Sequence, residues 1–309
     1  MKTTSRMNGM VKYGVVLLFT GLFGFLNAQL LDNSQGNAFT EYPFFNTRFI
    51  KASKIKEIKG SYTFKKQGDI MRQTDYVYVF SFDSLGQLTR HYETAAGDIV
   101  NDTVVRYYTY DGSGNLLSLR INEKRGFMTT YYTYDDKNRV VKEEVWRDID
   151  TLHSLLAPDI ERSILWNSET MTYEEYPSQL RRKRFNSYGN QYVENTTSFD
   201  SLGYLTSTHD LYTITRDQYT TKYTYANKGW IDRMQIVHNI DSIPLSETVF
   251  AYDQYGNLTS KQEYKNGIFT TEYQVIYSGD TGMLSSVLIR EVSSNFISII
   301  RFSEPVFWE

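Results

Sequence analysis

One short text recurs along this chain and limits what it can fold into: an aromatic residue, an Asp-like position, two spacers, a Gly, one spacer and an aliphatic residue. "FDSLGQL" begins at Phe82, "YDGSGNL" at Tyr110, "YDDKNRV" at Tyr134, "FDSLGYL" at Phe199, "YANKGWI" at Tyr225 and "YDQYGNL" at Tyr252. "FNSYGNQ" at Phe185 has Asn in place of Asp and the Tyr225 copy has Ala226 there, "FKKQGDI" at Phe64 aligns without the Asp, and "YSGDTGML" at Tyr277 aligns with one extra residue. From Phe199 onward, 26, 27 and 25 residues separate successive anchors. The step from Tyr134 to Phe185 is 51 residues, or two periods, and a degenerate copy around Trp166 in "ILWNSETMTYEEY" is expected to fill it. A fixed period of this size is the mark of a repeat architecture.

Each part of the unit has a mechanical reading. Tyr108 and Tyr110 are two apart, as are Tyr132 and Tyr134, Tyr223 and Tyr225, and Phe250 and Tyr252. Period two puts each pair on one face of a strand. Asp83, Asp111, Asp135, Asp200 and Asp253 suit the first position of a type I turn, where the carboxylate accepts backbone N–H groups. Gly86, Gly114, Gly203 and Gly256 suit the left-handed position that follows, and Asn138 substitutes for Gly there in the third copy. One period is two strands and two turns. The predicted fold is all-β: an open, curved or spiralling antiparallel sheet of tandem hairpins, with a period of about 25 residues.

"YTYDGSGNL" from Tyr108 and "FAYDQYGNLTSKQEYKNG" from Phe250 carry a family resemblance. They resemble YD repeats, the RHS-type repeats of bacterial secreted proteins and teneurins, over roughly residues 60 to 290. The resemblance implies a spiralling β-sheet and, for large members, a hollow shell around a toxin; it also implies sugar binding. This chain is too short to enclose another domain. "DTGML" at 280 to 284 lacks the proline of the DPxGL-type junction that precedes the toxin. The resemblance therefore implies a small, stand-alone repeat sheet.

The start of the chain sets the compartment. Lys2, Arg6 and Lys12 precede an apolar run, "GVVLLFTGLFGFL", and small Ala28 follows. That order reads as a signal peptide over residues 1–28, and so as export to the periplasm, the cell surface or the medium. No later stretch is long and apolar enough for a spanning helix, so no membrane span is expected after cleavage. The chain has no cysteine, so an exported product depends on a packed core rather than disulfides. A net charge of −3 gives no nucleic-acid footprint. Residues 29–40 are polar and expected to be disordered. Residues 41–60 are a candidate cap for the first repeat. Residues 61–300 form the repeat sheet, interrupted by an irregular insertion at 147–163, and 301–309 are a tail or final strand. "RRKR" at 181 to 184 is expected at a solvated sheet edge.

Catalytic chemistry is not legible. His91, His153, His209 and His238 have no metal-ligand spacing, and there is no nucleophile elbow or phosphate-binding loop. "DGSGN" at 111 to 115 begins like a calcium loop, but Leu116 and Asn122 stand where Gly and Glu are required. No catalytic residue, cofactor or metal is expected, and the chain is not expected to be an enzyme. Trp146 and Trp166 flank the insertion, which holds Pro158, and loops that break a repeat often carry binding. They are the candidate ligand-binding residues. An outer-membrane barrel would need an apolar lipid face on every strand, and "TSKQEYKNG" and "TRHYETAAGD" are polar on both faces. The expected function is an exported, non-catalytic binding module for a glycan or cell-envelope ligand, with carbohydrate or an envelope protein as partner. The alternative is a structural scaffold mediating protein–protein contact.

Overall fold

The computed structural model describes residues 29–309 apart from 97–101, 124–125, 153, 227–228, 240 and 280. The signal segment expected at 1–28 lies outside the described residues. Strands follow one another along the chain: β1 (Ile55–Lys65), β2 (Arg72–Phe82), β3 (Leu88–Ala96), β4 (Asp102–Tyr110), β5 (Leu116–Glu123), β6 (Gly126–Tyr134), β7 (Val140–Ile149), β8 (Arg162–Tyr176), β9 (Gln179–Phe185), β10 (Gln191–Phe199), β11 (Leu205–Tyr212), β12 (Gln218–Tyr225), β13 (Ile231–His238), β14 (Ser246–Tyr252), β15 (Leu258–Lys265), β16 (Ile268–Tyr277), β17 (Leu284–Glu291), β18 (Phe296–Phe302) and β19 (Val306–Phe307). Each pairs antiparallel with the next as far as β18, and β18 pairs back onto β1 from Gly60↔Phe302 to Lys65↔Ile297. The sheet is therefore a closed barrel of β1 to β18, not the open or spiralling sheet expected from the hairpins. Closure removes both exposed edges, which an open sheet of this length would leave free to aggregate.

The Asp-x-x-Gly hairpins stand at one end of the barrel. Asp83 Oδ1 accepts from the N–H groups of Leu85 and Gln87, Asp111 from Ser113 and Asn115, and Asp253 from Tyr255 and Asn257. Asp135 and Asp200 do the same in their turns. Gly86, Gly114, Gly203 and Gly256 have φ between +85° and +91°, and Asn138 has φ +58°. Two aligned anchors belong elsewhere. Phe64 is the penultimate residue of β1 and Phe185 the last of β9, so their hairpins join odd to even strands and lie at the opposite end. No turn breaks the chain at Trp166, because β8 continues through it from Arg162 to Tyr176. The gap after Tyr134 is instead a single long period ending at Tyr176.

A closed ring this wide leaves a lumen that its own side chains do not fill. Residues 29–54 enter it as a plug. Leu30, Leu31, Ala38, Phe44, Phe45 and Ile50 are buried in one cluster with inward residues of β1–β5 and β13–β18. Phe45 meets Phe80 and Phe82 edge-on, at 4.7 and 5.0 Å between ring centroids. Asn33 donates to Tyr252 Oη at 2.8 Å, Lys261 to the Ala38 carbonyl at 3.1 Å, and Tyr108 Oη to the Glu41 carbonyl at 2.7 Å. A short helix, α1 (Thr47–Ala52), is capped by Asn46, whose side chain accepts from Arg48 and Phe49 N–H. Residues 29–40 are thus ordered inside the barrel, not disordered. Residues 41–60 are not a cap over an open end; they divide between the plug and the first half of β1. The apolar residues of both segments find in the lumen the interior that an open sheet would not offer.

The remaining boundaries shift for similar reasons. Arg147 to Ile149 and Arg162 to Ser163 belong to β7 and β8, so the irregular insertion is 150–161. It lies on the outer wall, where Tyr107 Oη donates to the Leu155 carbonyl at 2.6 Å. The "RRKR" run is in β9, paired on both sides by β8 and β10, and is not an edge. Strand alternation sends Arg182 and Arg184 inward and Arg181 and Lys183 outward. Residues 301–302 finish β18, and β19 pairs with β1 at Ile55 and Glu57.

The outer wall is charged. Ion pairs link Arg90 to Glu57, Arg120 to Asp148, Lys142 to Glu144, Arg181 to Glu194, Arg233 to Glu247 and Arg290 to Glu272. All lie on outward positions of the strands. Among the described residues no helix is long and apolar enough to cross a membrane.

Candidate luminal binding site

Inside the barrel, strand alternation divides the lumen into two arcs. Along β1–β5 and β13–β18 the inward residues are mostly apolar and meet the plug. Along β6–β12 many are polar, with Met171 and Val193 as buried apolar exceptions. Glu143 stands directly opposite Glu169 on neighbouring strands, and Arg184 forms an ion pair with Glu169 and lies 3.7 Å from Glu143. Burial raises the Glu143 carboxyl. Burial also acts to raise Glu169, but hydrogen bonds from Tyr192 and Arg184 outweigh it and hold the group below the usual range. Arg182 makes no ion pair or hydrogen bond among the described residues. It lines an open recess of about 410 Å³ with Arg139, Tyr173, Asn195, Thr208 and Asp210.

The second recess, about 470 Å³, lies on the seam between plug and wall. The plug contributes Asn37, Thr40, Glu41 and Tyr42; the wall contributes Tyr78, His91, Glu93 and Arg106. His91 on β3 is 4% exposed and its ring stacks on Phe80 at 4.7 Å. Arg106 Nη1 is 3.0 Å from His91 Nδ1. A guanidinium only donates, so Nδ1 is the acceptor and the ring proton sits on Nε2. Burial, with the Arg106 charge, pushes the imidazole pKa down to about 3. The ring is neutral at physiological pH. Its Nε2 has no hydrogen-bond partner and stands 3.8 Å from Glu93 Oε2. Glu93 accepts from Tyr62 Oη at 2.6 Å on its other oxygen. Burial raises the Glu93 carboxyl, and the Tyr62 bond and Arg106 charge only partly offset it. Arg106 Nε is also buried without a partner.

The tryptophans occupy the other side of the wall. Trp146 faces outward, opposite Thr129 and Leu165, and is half-buried. Trp166 is the extra residue of a bulge between Val145↔Asn167 and Trp146↔Leu165, and is 68% exposed. The sheet separates Trp146 from the lumen. The turn residues Asp83, Asp111, Asp135, Asp200 and Asp253 sit at the rim, their carboxylates engaged by their own turns. Among the described residues no group of His, Asp or Glu side chains is placed to hold a metal ion.

Sequence reasoning missed the luminal residues. The signal available was period two: His91 and Glu93 share a face, as do Arg106, Tyr108 and Tyr110. It marks a common face but not what that face meets.

No protein-family model matches the chain, and no curated protein sequence matches it. Among solved structures it matches a porin-like protein from Bacteroides uniformis ATCC 8492, with 9% identity, 81% of this chain and 97% of that one covered, and a TM-score of 0.38. A porin-like protein from Bacteroides vulgatus ATCC 8482 matches with 13% identity, 80% and 98% coverage and a TM-score of 0.32. The TcdB2-TccC3-TEV structure matches over 72% of this chain but 14% of its own, with 14% identity and a TM-score of 0.21. These likenesses are distant, and the function proposed below stands on the barrel's own geometry.

Proposed function

We propose that the protein is an exported, non-catalytic binding barrel that takes a carbohydrate-type ligand in its lumen. The observation that carries this reading is the lumen lining. Inward tyrosines, Tyr132, Tyr173, Tyr219 and Tyr223, alternate with Asn195, Thr197, Thr208, Arg182 and Asp210. A sugar ring needs such a surface: flat aromatic faces for its C–H bonds and fixed donors and acceptors for its hydroxyls. The signal-like N-terminal text supports export. The charged outer wall argues against a lipid-embedded channel, since each Arg or Lys at the bilayer midplane costs about 2–4 kcal/mol. The same charges disfavour the apolar core that a stable scaffold interface would need.

A glycan array probed with the purified protein, followed by calorimetry on the hits, tests the proposal. Binding that is weakened by Tyr173→Ala and Tyr223→Ala, and unchanged by Trp166→Ala, is expected. An array without hits would overturn the reading.

A further inference from the structure

We infer that the seam between plug and wall is a subsite for a neutral, hydroxyl-bearing sugar unit, one hydroxyl of which accepts from His91 Nε2 and donates to Glu93. The inference rests on the luminal carbohydrate reading and deepens it.

The geometry is that of an unfilled bridge. His91 Nε2 and Glu93 Oε2 are 3.8 Å apart, too far for a hydrogen bond to each other. That separation is one that a shared oxygen, about 2.8 Å from each, would bridge. The Arg106 bond to Nδ1 fixes the tautomer, so the free nitrogen is a donor. The Tyr62 bond occupies Oε1 of Glu93 and leaves Oε2 to accept. A hydroxyl both donates and accepts, which is what this pair requires. Neither group is explained by the packing. A buried imidazole N–H without a partner costs about 1–3 kcal/mol, and Phe or Leu would fill the space without that cost.

Charge narrows the ligand. The recess holds Glu93 and Glu41 against Arg106, so an acidic sugar would meet two carboxylates. At the bridging position the ammonium of an amino sugar could donate to Glu93 but could not accept from the His91 Nε2–H, and it would stand in the recess that Arg106 also lines. A neutral polyol meets neither penalty. Asn37, Thr40, Glu41 and Tyr42 belong to the plug, so an occupied site ties plug and wall together.

The test is titration of protein carrying ¹⁵N-labelled histidine with D-glucose, D-galactose and D-mannose, with D-glucuronate and D-glucosamine beside them, and with every array hit. A saturable shift at His91 Nε2, with Nδ1 unmoved, is expected from at least one neutral sugar. D-glucuronate and D-glucosamine are expected to bind about tenfold more weakly. Glu93→Gln should weaken the neutral sugar by about tenfold while leaving the melting temperature close to wild type. Backbone amides of residues 37–42 should exchange more slowly when the sugar is bound. Sugar binding that leaves His91 Nε2 unmoved and ignores Glu93→Gln would overturn the inference and leave luminal binding standing. A His91 signal that responds to no sugar, an ordered water being its only partner, would overturn it too. No binding by any sugar or array ligand would overturn both.

Discussion

The two arcs of this barrel are built from the same hairpins and filled differently. On β1–β5 and β13–β18 the inward positions hold Ile58, Phe80, Phe82, Phe250 and Ile300 against the plug. On β7–β11 they hold Glu143, Glu169, Arg182, Arg184, Asn195 and Asp210. The turns divide in the same way. A Cβ on Gly86 would lie 2.2 Å from the Thr47 carbonyl oxygen of α1, and one on Gly256 would collide with Trp230 and with Gln29 of the plug. A Cβ on Gly203 or Gly189 would meet nothing within 4 Å. Hairpin chemistry is thus indifferent to location. The inner face is set by what it meets: a chain segment on one side, open polar space on the other.

The sharpest way to break that contrast is to truncate one apolar residue on each side. Phe45→Ala removes a ring packed on Phe80 and Phe82 and is expected to cost about 3–5 kcal/mol. Leu180→Ala, on the half-exposed polar arc, is expected to cost about 1 kcal/mol. Denaturant titration of both variants measures the difference, and equal losses would mean that the plug is not part of the core. The turns come next. Gly86→Ala and Gly203→Ala both force Ala into the left-handed region, at about 1–2 kcal/mol. Only Gly86→Ala must also displace α1, so its total is expected near 3 kcal/mol. Comparable melting temperatures for the two would show that α1 does not rest on that turn.

A smaller effect, spread over pH, tests the seam where the arcs' chemistries meet. The folded His91 pKa, about 3, lies below the ordinary value of about 6.5. As pH falls, the unfolded chain takes up this proton first. The contribution is complete above about pH 6.5 and declines below it by about 1.4 kcal/mol per pH unit. Glu93 works in the opposite sense: its raised pKa lets the folded chain protonate first, from above its ordinary value. The turn carboxylates Asp111, Asp135 and Asp253 are held low by their hydrogen bonds and lose their contribution only below about pH 4. Comparing wild type with His91→Gln at pH 7 and pH 5 therefore isolates the histidine. The variant should be the less acid-sensitive of the two. Parallel losses would mean that His91 is not buried as a neutral ring.

What the sequence made legible follows the range of each interaction. The Asp-x-x-Gly turns depend on four or five residues, and their text is explicit. Closure depends on β1 meeting β18, more than 200 residues away, and no local pattern in "KGSYTFK" or "FISIIRF" announces that partner. The phase slip at Phe185 was hidden because "NSYGN" makes the same turn at either end of a barrel. Residues 29–40 look disordered in the sequence because Gln29, Asp32, Asn33, Ser34, Gln35 and Asn37 make them polar, and the lumen that orders them is not a local feature. Leu30, Leu31, Phe44 and Phe45 were the neglected signal: apolar pairs with no strand of their own to lie on. His91 carries no metal-ligand spacing in the sequence, and the neighbours that make it a candidate ligand contact, Arg106 and the plug, come from other elements.

The smallest expected effect bears most directly on which side of the wall is functional. Trp166 sits in the β8 bulge, 68% exposed, so Trp166→Ala removes little buried area and is expected to cost less than about 1 kcal/mol. Trp146→Ala, half-buried against Thr129 and Leu165, should cost more. An exposed indole is nonetheless what a sugar-stacking platform on the outer wall would require, and Leu165, outward opposite Trp146, is exposed as well. The measurement is glycan affinity of Trp166→Ala against Tyr173→Ala, each at matched melting temperature. Retained affinity in the first and loss in the second places the ligand in the lumen, on the polar arc. The reverse result would move the site to the outer wall at the bulge. The polar inner arc would then be water-filled structure, and the contrast between the arcs would describe stability alone.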